Sequence, residues 1–399
     1  MTETREVVAG VDTHTDTIHA AVITTTGRHL DDREFPTTPA GYRAAVAFLT
    51  GHGGLILAGV EGTSSYGAGI TRALTAAGVE VCEVIRPDRS DRRRRGKSDP
   101  LDAYTAARIA LAGRDVATPK AADTLALRAL LSTRRSAVKA RTAAINQIKA
   151  LLVSAPDAIR EKYRRATTSV LITTLARCRP AAVGDSVAAT VLTTAKALAH
   201  RVEFLENQST TLTEQIDRLV TDLNPALRAA HGVGPDTAAQ LIVTAGTNPH
   251  RLNSEAAFAA LCGTAPVPAS SGKTNRHRLS RGGDRAGNNA LHRVALVRMS
   301  SHRPTRDYVA RQTAQGRSKL EILRLLKRAI AREVFKLLTQ AIAIPDYRDL
   351  RPARQAKNIT VTAAAHHFGI WPTAISRIER GLQRDDDFAD TYRHWLAAA

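Results

Sequence analysis

The stretch Lys97-Ser98-Asp99-Pro100-Leu101-Asp102-Ala103 limits the fold more than any other in this chain. Asp99 before Pro100 reads as a helix N-cap followed by a proline at the first helical position. The helix then continues through Ala103, Ala106, Ala107 and Leu111. Asp99 and Asp102 are three apart and lie together at its mouth. Alone, the pair complements the helix dipole and needs no other role. Asp12 and Glu61 change that reading, because each ends a short apolar segment, Val7-Val8-Ala9-Gly10-Val11 and Leu55-Ile56-Leu57-Ala58-Gly59-Val60. Two bare carboxylates about 4 Å apart repel by about 4 kcal/mol near a protein surface. Acids from two strand ends and a helix start therefore converge only around a hard divalent cation, which prefers oxygen ligands.

The first 120 residues set those acids in order. Val7–Asp12, Ile18–Thr24 and Arg28–Phe35 read as strands, with a turn at Thr25-Thr26-Gly27. A helix over Gly41–Leu49, a buried strand over Leu55–Glu61, a helix over Gly67–Ala77, a strand over Val79–Ile85 and the Asp99 helix follow. The order βββ-α-β-α-β-α is that of ribonuclease H, a mixed sheet in which the first strand lies beside the fourth. Asp12 and Glu61 are then neighbours, and the helix after the fifth strand covers them. His14 and His19 also flank the second strand, but five residues of extended chain put them on opposite faces, which argues against a shared histidine ligand.

Charge points to the partner. The 399 residues carry 57 Lys+Arg against 37 Asp+Glu, a formal net charge of +20, which suits a polyanion, nucleic acid before a membrane surface. Arg92, Arg93, Arg94, Arg95 and Lys97 form a basic run just before the acidic helix and are phosphate-contact candidates. No long uncharged apolar run and no leader before Val7 is evident, so a cytoplasmic protein without membrane contact is expected. Cys82, Cys178 and Cys262 have neither disulfide nor zinc spacing. Aromatic residues are 4% of the chain, which disfavours base stacking as the main binding mode.

Residues 121–225 form a helical region whose apolar residues recur at spacings of three, four and seven, as in long antiparallel or coiled-coil helices, with Pro156 and Pro180 as interruptions. Residues 226–345 form a mostly helical third domain. It opens at His231-Gly232-Val233-Gly234-Pro235, a turn like that of a helix-hairpin-helix, in which the N–H groups around Gly232 and Gly234 can hold a phosphate. Leu261–Lys273 is rich in small residues, and Lys273, Arg276, Arg278 and Arg281 interleave with Ser280, Gly282 and Gly283, a composition that admits a ligand backbone and its phosphates. Lys319–Ala343 is a long basic amphipathic helix. Residues 346–399 read as a polar linker over 346–358 and a helix-turn-helix-like tail, with Gly369 in the turn and Ser376, Arg377 and Arg380 on the second helix.

Together these segments resemble the DEDD-type insertion-sequence transposases of the IS110 family, the RNA-guided bridge recombinases, with Piv-type DNA invertases as relatives. The resemblance covers roughly residues 5–345. It rests on Gly10-Val11-Asp12, Val60-Glu61-Gly62-Thr63, Lys97–Ala103, Gly232-Val233-Gly234, and Gly263-Thr264-Ala265-Pro266 leading to Ser271-Gly272. It implies an N-terminal RuvC/RNase H-like domain in which Asp12, Glu61, Asp99 and Asp102 hold Mg2+ (or Mn2+). It also implies a serine nucleophile in the third domain. Position after Pro266 and directly before Gly272 favours Ser271, with Ser270 and Ser280 as alternatives. A covalent serine–DNA intermediate, element-end and target DNA, a guide RNA and a dimer or tetramer are further implications. A water-using metal-dependent junction nuclease and a non-enzymatic DNA-binding regulator are the competing readings. The tail lies outside the family's common core.

Overall fold

The computed structural model describes residues 5–85, 98–114, 116–121, 123–182, 184–248, 251–269, 277–278, 280, 282–344, 346–381 and 385–398. It divides into two compact units, Met1–Leu125 with Gly246–Arg251, and Ala126–Ala245 with Leu252–Ala399.

The first unit is built on six strands: β1 (Glu6–Thr13), β2 (Thr17–Thr24), β3 (His29–Pro36), β4 (Gly54–Glu61), β5 (Val81–Val84) and β6 (Val116–Ala117). Their order is β3-β2-β1-β4-β5-β6. β1 runs antiparallel to β2 and parallel to β4, with Val11 beside Val60, so the acids that follow each sit side by side. The mixed sheet and the β1–β4 neighbourhood match the sequence reading; β6, a two-residue strand antiparallel to β5, was not legible in it.

The central strands are apolar throughout because both faces are covered. One face, with Val7, Ala9 and Val11, packs against α1 (Pro39–Thr50) and α2 (Ala68–Ala76). The other, with Val8, Ala21 and Ile23, takes α3 (Asp99–Ala112) through Ala103, Tyr104, Ala107 and Ala110. Glycine makes that second contact close. A Cβ on Gly10 would lie 2.1 Å from the Ala103 carbonyl oxygen, and one on Gly59 would lie 2.7 Å from that of Ala106. Residues 246–251 return to this unit: Asn248 accepts a 2.8 Å hydrogen bond from the Ala121 N–H, and Arg251 donates to the Thr118 carbonyl at 3.1 Å.

The second unit is helical apart from the two-residue strands β7 (Val267–Pro268) and β8 (His277–Arg278). α4 (Asp123–Val153) and α7 (Ser186–Leu223) are 31 and 38 residues long. They run antiparallel, since Arg134 meets Thr213 and Arg141 meets Glu206. Pro156 precedes the short α5 (Asp157–Tyr163), Pro180 opens a single 3-10 turn, and α6 (Thr168–Ala176) closes the cluster around Ile148, Leu175 and Ala195. A larger core joins α9 (Pro235–Ala245), α10 (Glu255–Leu261), α11 (Arg285–Ser301) and α13 (Lys319–Thr339) around Leu241, Phe258, Leu291 and Ile330. α8 (Pro225–Ala229) precedes the glycine turn, and α12 (Arg303–Ala314) links α11 to α13.

Four helices make the tail: α14 (Leu350–Ala356), α15 (Val361–Phe368), α16 (Pro372–Glu379) and α17 (Asp386–Ala398). The linker expected over 346–358 is instead part of this bundle. Leu350 is fully buried, and Arg354 is buried with Glu379, bonded through Nε at 2.7 Å and Nη2 at 3.0 Å. A polar composition hid one amphipathic turn whose arginine points inward. Gly369 ends α15 in the left-handed conformation (φ 63°), which turns the chain into α16.

Gly10→Ala should destabilise the first unit by roughly 1–3 kcal/mol, because α3 has no space to give. Gly184→Ala, with open space where the added methyl would stand, should be close to neutral. Urea denaturation of the two variants beside the wild type measures the difference.

Candidate active site

The acids gather where β1, β4 and α3 end together. Asp12 follows Val11 at the end of β1, and its side chain is 7% exposed. Its Oδ1 accepts a 3.0 Å hydrogen bond from the Thr13 N–H. The Thr13 hydroxyl donates to the Glu61 carbonyl at 3.1 Å, which ties the two strand ends together. Glu61 is half-buried there, and Gly62, at φ 60°, turns the chain away immediately after it. Asp102 is 2% exposed, one turn into α3.

Asp99 differs from expectation. Ser98 is the N-cap residue, and the Asp102 N–H bonds the Ser98 carbonyl at 3.0 Å, so Asp99 is the first helical residue rather than the cap. Its carboxylate is directed to His14, whose Nε2 is 3.4 Å from Asp99 Oδ1 and 3.2 Å from Asp12 Oδ2. From the first turn of α3 it both complements the helix dipole and reaches His14.

His14 is the residue that sequence reasoning missed. The opposite-face argument assumed one extended chain from His14 to His19, but a hairpin turn separates them. His14 stands in that turn. His19 lies on β2 opposite Asp12, and its Nε2 is held 2.6 Å from Asp32 Oδ2. The usable signal was the two-residue offset of His14 from Asp12 across the end of a predicted hairpin.

One oxygen each from Asp12 and Asp99 and one nitrogen of His14 lie within 4.8 Å of one another. Asp12 Oδ2 is buried and accepts no hydrogen bond from a described residue. Burial pushes the Asp12 carboxyl above its ordinary range, and the charges of Asp102 and Asp99 add to this against His14 and the Thr13 N–H. An inward carboxylate oxygen without a donor, surrounded by further acids, is the environment a divalent cation relieves, and the donor set fits one.

The second unit contributes cations. Gly263, Thr264, Ala265, Pro266, Arg278 and Ser280 face Arg324, Lys327 and Arg328 of α13 across a cavity of about 460 Å³. The stem of this segment is fixed. Asn288 Nδ2 donates to the Cys262 carbonyl at 2.7 Å and the Gly263 carbonyl at 3.2 Å, and the Asp284 N–H bonds the Leu261 carbonyl at 2.6 Å. Lys327 donates to Asn288 Oδ1 at 3.0 Å, and burial holds its amine below the usual range. Sequence reading found α13 basic but did not assign its cations to this cavity.

Gly232 stands at φ 79° in the turn before α9, while Gly234 has no such conformation. Arg278, Arg377 and Arg380 are exposed. Arg92, Arg93, Arg94, Arg95, Lys97, Ser270, Ser271, Lys273, Arg276 and Arg281 lie outside the described residues.

The raised Asp12 carboxyl has a thermodynamic sign. Its contribution to stability is full below the unfolded aspartate value, about pH 4, and is lost as pH rises through the higher folded value. With chelator present, Asp12→Asn should therefore melt higher than wild type at neutral pH, and the gap should close as pH falls to about 4. Thermal melts across that range test the sign.

Comparison with known proteins identifies relatives of both parts of the chain. A family model described as "Transposase", of the DEDD type of IS110, matches residues 9–155, the stretch holding all four acids. A second, "Transposase IS116/IS110/IS902 family", matches residues 224–310, which include the glycine turn and the cavity segment. The "Insertion element IS110 uncharacterized 43.6 kDa protein" of Streptomyces coelicolor is 26% identical over 388 residues, covering 84% of this chain and 95% of that protein. With both family models falling in order on the two units that carry the acids and the cationic cavity, the chain belongs to the IS110 family of insertion-sequence transposases.

Proposed function

We propose that this transposase cuts and rejoins DNA through a covalent serine–DNA intermediate, assisted by the acidic centre of the first unit. The observation that carries the reading is the convergence of Asp12, Asp99 and His14 where β1 ends and α3 begins; Asp102 acts on Asp12 through its charge, and Glu61 is tied to the site through its carbonyl and Thr13. A divalent cation, Mg2+ or Mn2+, held by Asp12 and Asp99 with His14, Glu61 and Asp102 around it, would supply positive charge against a scissile phosphate.

Ser271, in the glycine-lined segment after Pro266, is the proposed nucleophile. Its oxygen forms a bond to phosphorus while the bond from phosphorus to the 3′ oxygen breaks. The serine proton leaves to solvent or a base, and the departing oxygen gains one to become a 3′-hydroxyl. The phosphodiester is kept as a serine ester, so a new 3′-hydroxyl can reverse the step without ATP. Arg278, Arg324 and Lys327 line the adjoining cavity and suit the phosphate backbone. Arg92–Arg95, Lys97, Lys273, Arg276 and Arg281 are proposed to add phosphate contacts. A guide RNA and a dimer or tetramer, which bring two cut sites together, complete the reading.

Denaturing gels of protein mixed with nicked element-end DNA provide the test. Wild type should give a protein–DNA adduct, and Ser271→Ala and Asp12→Asn should give none. Free ends without an adduct, still produced by Ser271→Ala, would instead establish water as the nucleophile. The imidazole in the donor set yields a further expectation: Mn2+ should raise the melting temperature more than Mg2+, and His14→Ala should narrow that difference.

A further inference from the structure

The tail presents a face that the reaction above does not use. On α16, Thr373 and Arg377, with Arg380 just beyond, fall at positions i, i+4 and i+7, and all three are exposed. Ile375, Ile378 and Glu379 are buried on the opposite side. The exposed face therefore carries hydrogen-bond donors and no acid. Its orientation is fixed from beneath: Glu379 accepts from Arg354 and, at 2.9 Å, from the Tyr392 hydroxyl, all inside the tail core. Trp371, 81% exposed at the N-cap of α16, extends the same end with apolar surface.

A second feature adjoins this face. A cleft of about 900 Å³ has His231 and Gly232 on one wall and Arg348, Arg351, Arg377 and Arg380 on the other. Arg348 is paired with Asp346. Arg351, Arg377 and Arg380 form no ion pair with a described residue. Arginines without an ion-pair partner among the described residues thus face the turn at Gly232, which packs against Val294, Val297 and Arg298 of α11.

We infer that the tail reads double-stranded DNA, with α16 entering the major groove and the adjoining cleft holding one phosphodiester strand. The inference deepens the proposed DNA-rejoining role and rests on it. A single exposed helix fits the B-form major groove, about 12 Å wide, whereas the A-form major groove of RNA is too narrow for side chains to read. Arginine pairs with guanine edges there, and the threonine methyl and the tryptophan suit thymine methyls. The base contacts come from α16, and the cleft supplies register without sequence information.

Selection from a duplex library with a randomised centre, using the full chain, tests this. Wild type and Asp12→Asn should enrich the same short motif. Arg377→Ala/Arg380→Ala should lose it, with affinity for the enriched duplex falling about tenfold or more. Thr373→Ala, a smaller change, should relax the motif at one position. Arg351→Ala should weaken all duplexes alike and reduce the salt slope by about one. No motif with wild type, a motif unchanged in the double arginine variant, or displacement by single-stranded RNA more readily than by unlabelled duplex would each overturn the inference. A motif enriched by wild type alongside an adduct assay in which wild type itself gives no adduct would sink the recombinase reading and leave the tail reading standing.

Discussion

The acidic centre depends on how closely α3 lies against β1. Gly10 and Gly59 remove two side chains from the sheet, and Ala103, Ala106, Ala107 and Ala110 keep the helix face thin. The helix backbone then rests on the strand backbone, and little freedom remains for it to slide or roll. Close packing of this kind transmits position well because interiors resist deformation. The first turn of α3 is thereby held at the ends of β1 and β4, and Asp99 and Asp102 arrive beside Asp12 and Glu61. The place is also where helices pass from one face of the sheet to the other, a common position for ligands in sheets with parallel strands.

The two candidate sites differ in the sign of the charge gathered around them. The first concentrates acids around the buried Asp12, which burial pushes toward the protonated form, with His14 opposing and Asp102 and Asp99 adding to it. The second lines its cavity with Arg278, Arg324, Arg328 and the partly desolvated Lys327. Like charges repel and burial raises the cost in both. In the second, Glu255 pairs with Arg328 and Glu321 lines the same cavity, which offsets part of that repulsion. The net charge of +20 describes only the sum and conceals this division.

How much of this was legible depended on whether local sequence held the cause. The strand order was readable because β1 and β4 are apolar on both faces and each is closed by an acid. The antiparallel α4 and α7 were readable because their apolar spacing persists over many turns. His14 was weighed and set aside, because the opposite-face argument overlooked the turn between β1 and β2 that separates it from His19. The cap moved by one residue because Ser98 and Asp99 are adjacent and both suit an N-cap, so local sequence did not separate them. α14 was mistaken for a linker because its burial depends on Arg354 finding Glu379, 25 residues away. Lys327 and Arg324 were legible only as part of a basic amphipathic helix, and the fold sets them opposite Gly263 and Pro266.

The mooring of the serine-bearing segment has an evolutionary consequence. Its two stems meet at one knot, where Asn288 grips the Cys262 and Gly263 carbonyls and the Asp284 amide closes on Leu261. With both ends clamped, lengthening the intervening chain adds only a logarithmic entropy penalty and leaves the helices behind it undisturbed. The clamps thus let the chain on either side of Ser271 vary in length while the scaffold stays put. The serine and its glycine neighbour are the part of the segment that such variation should spare.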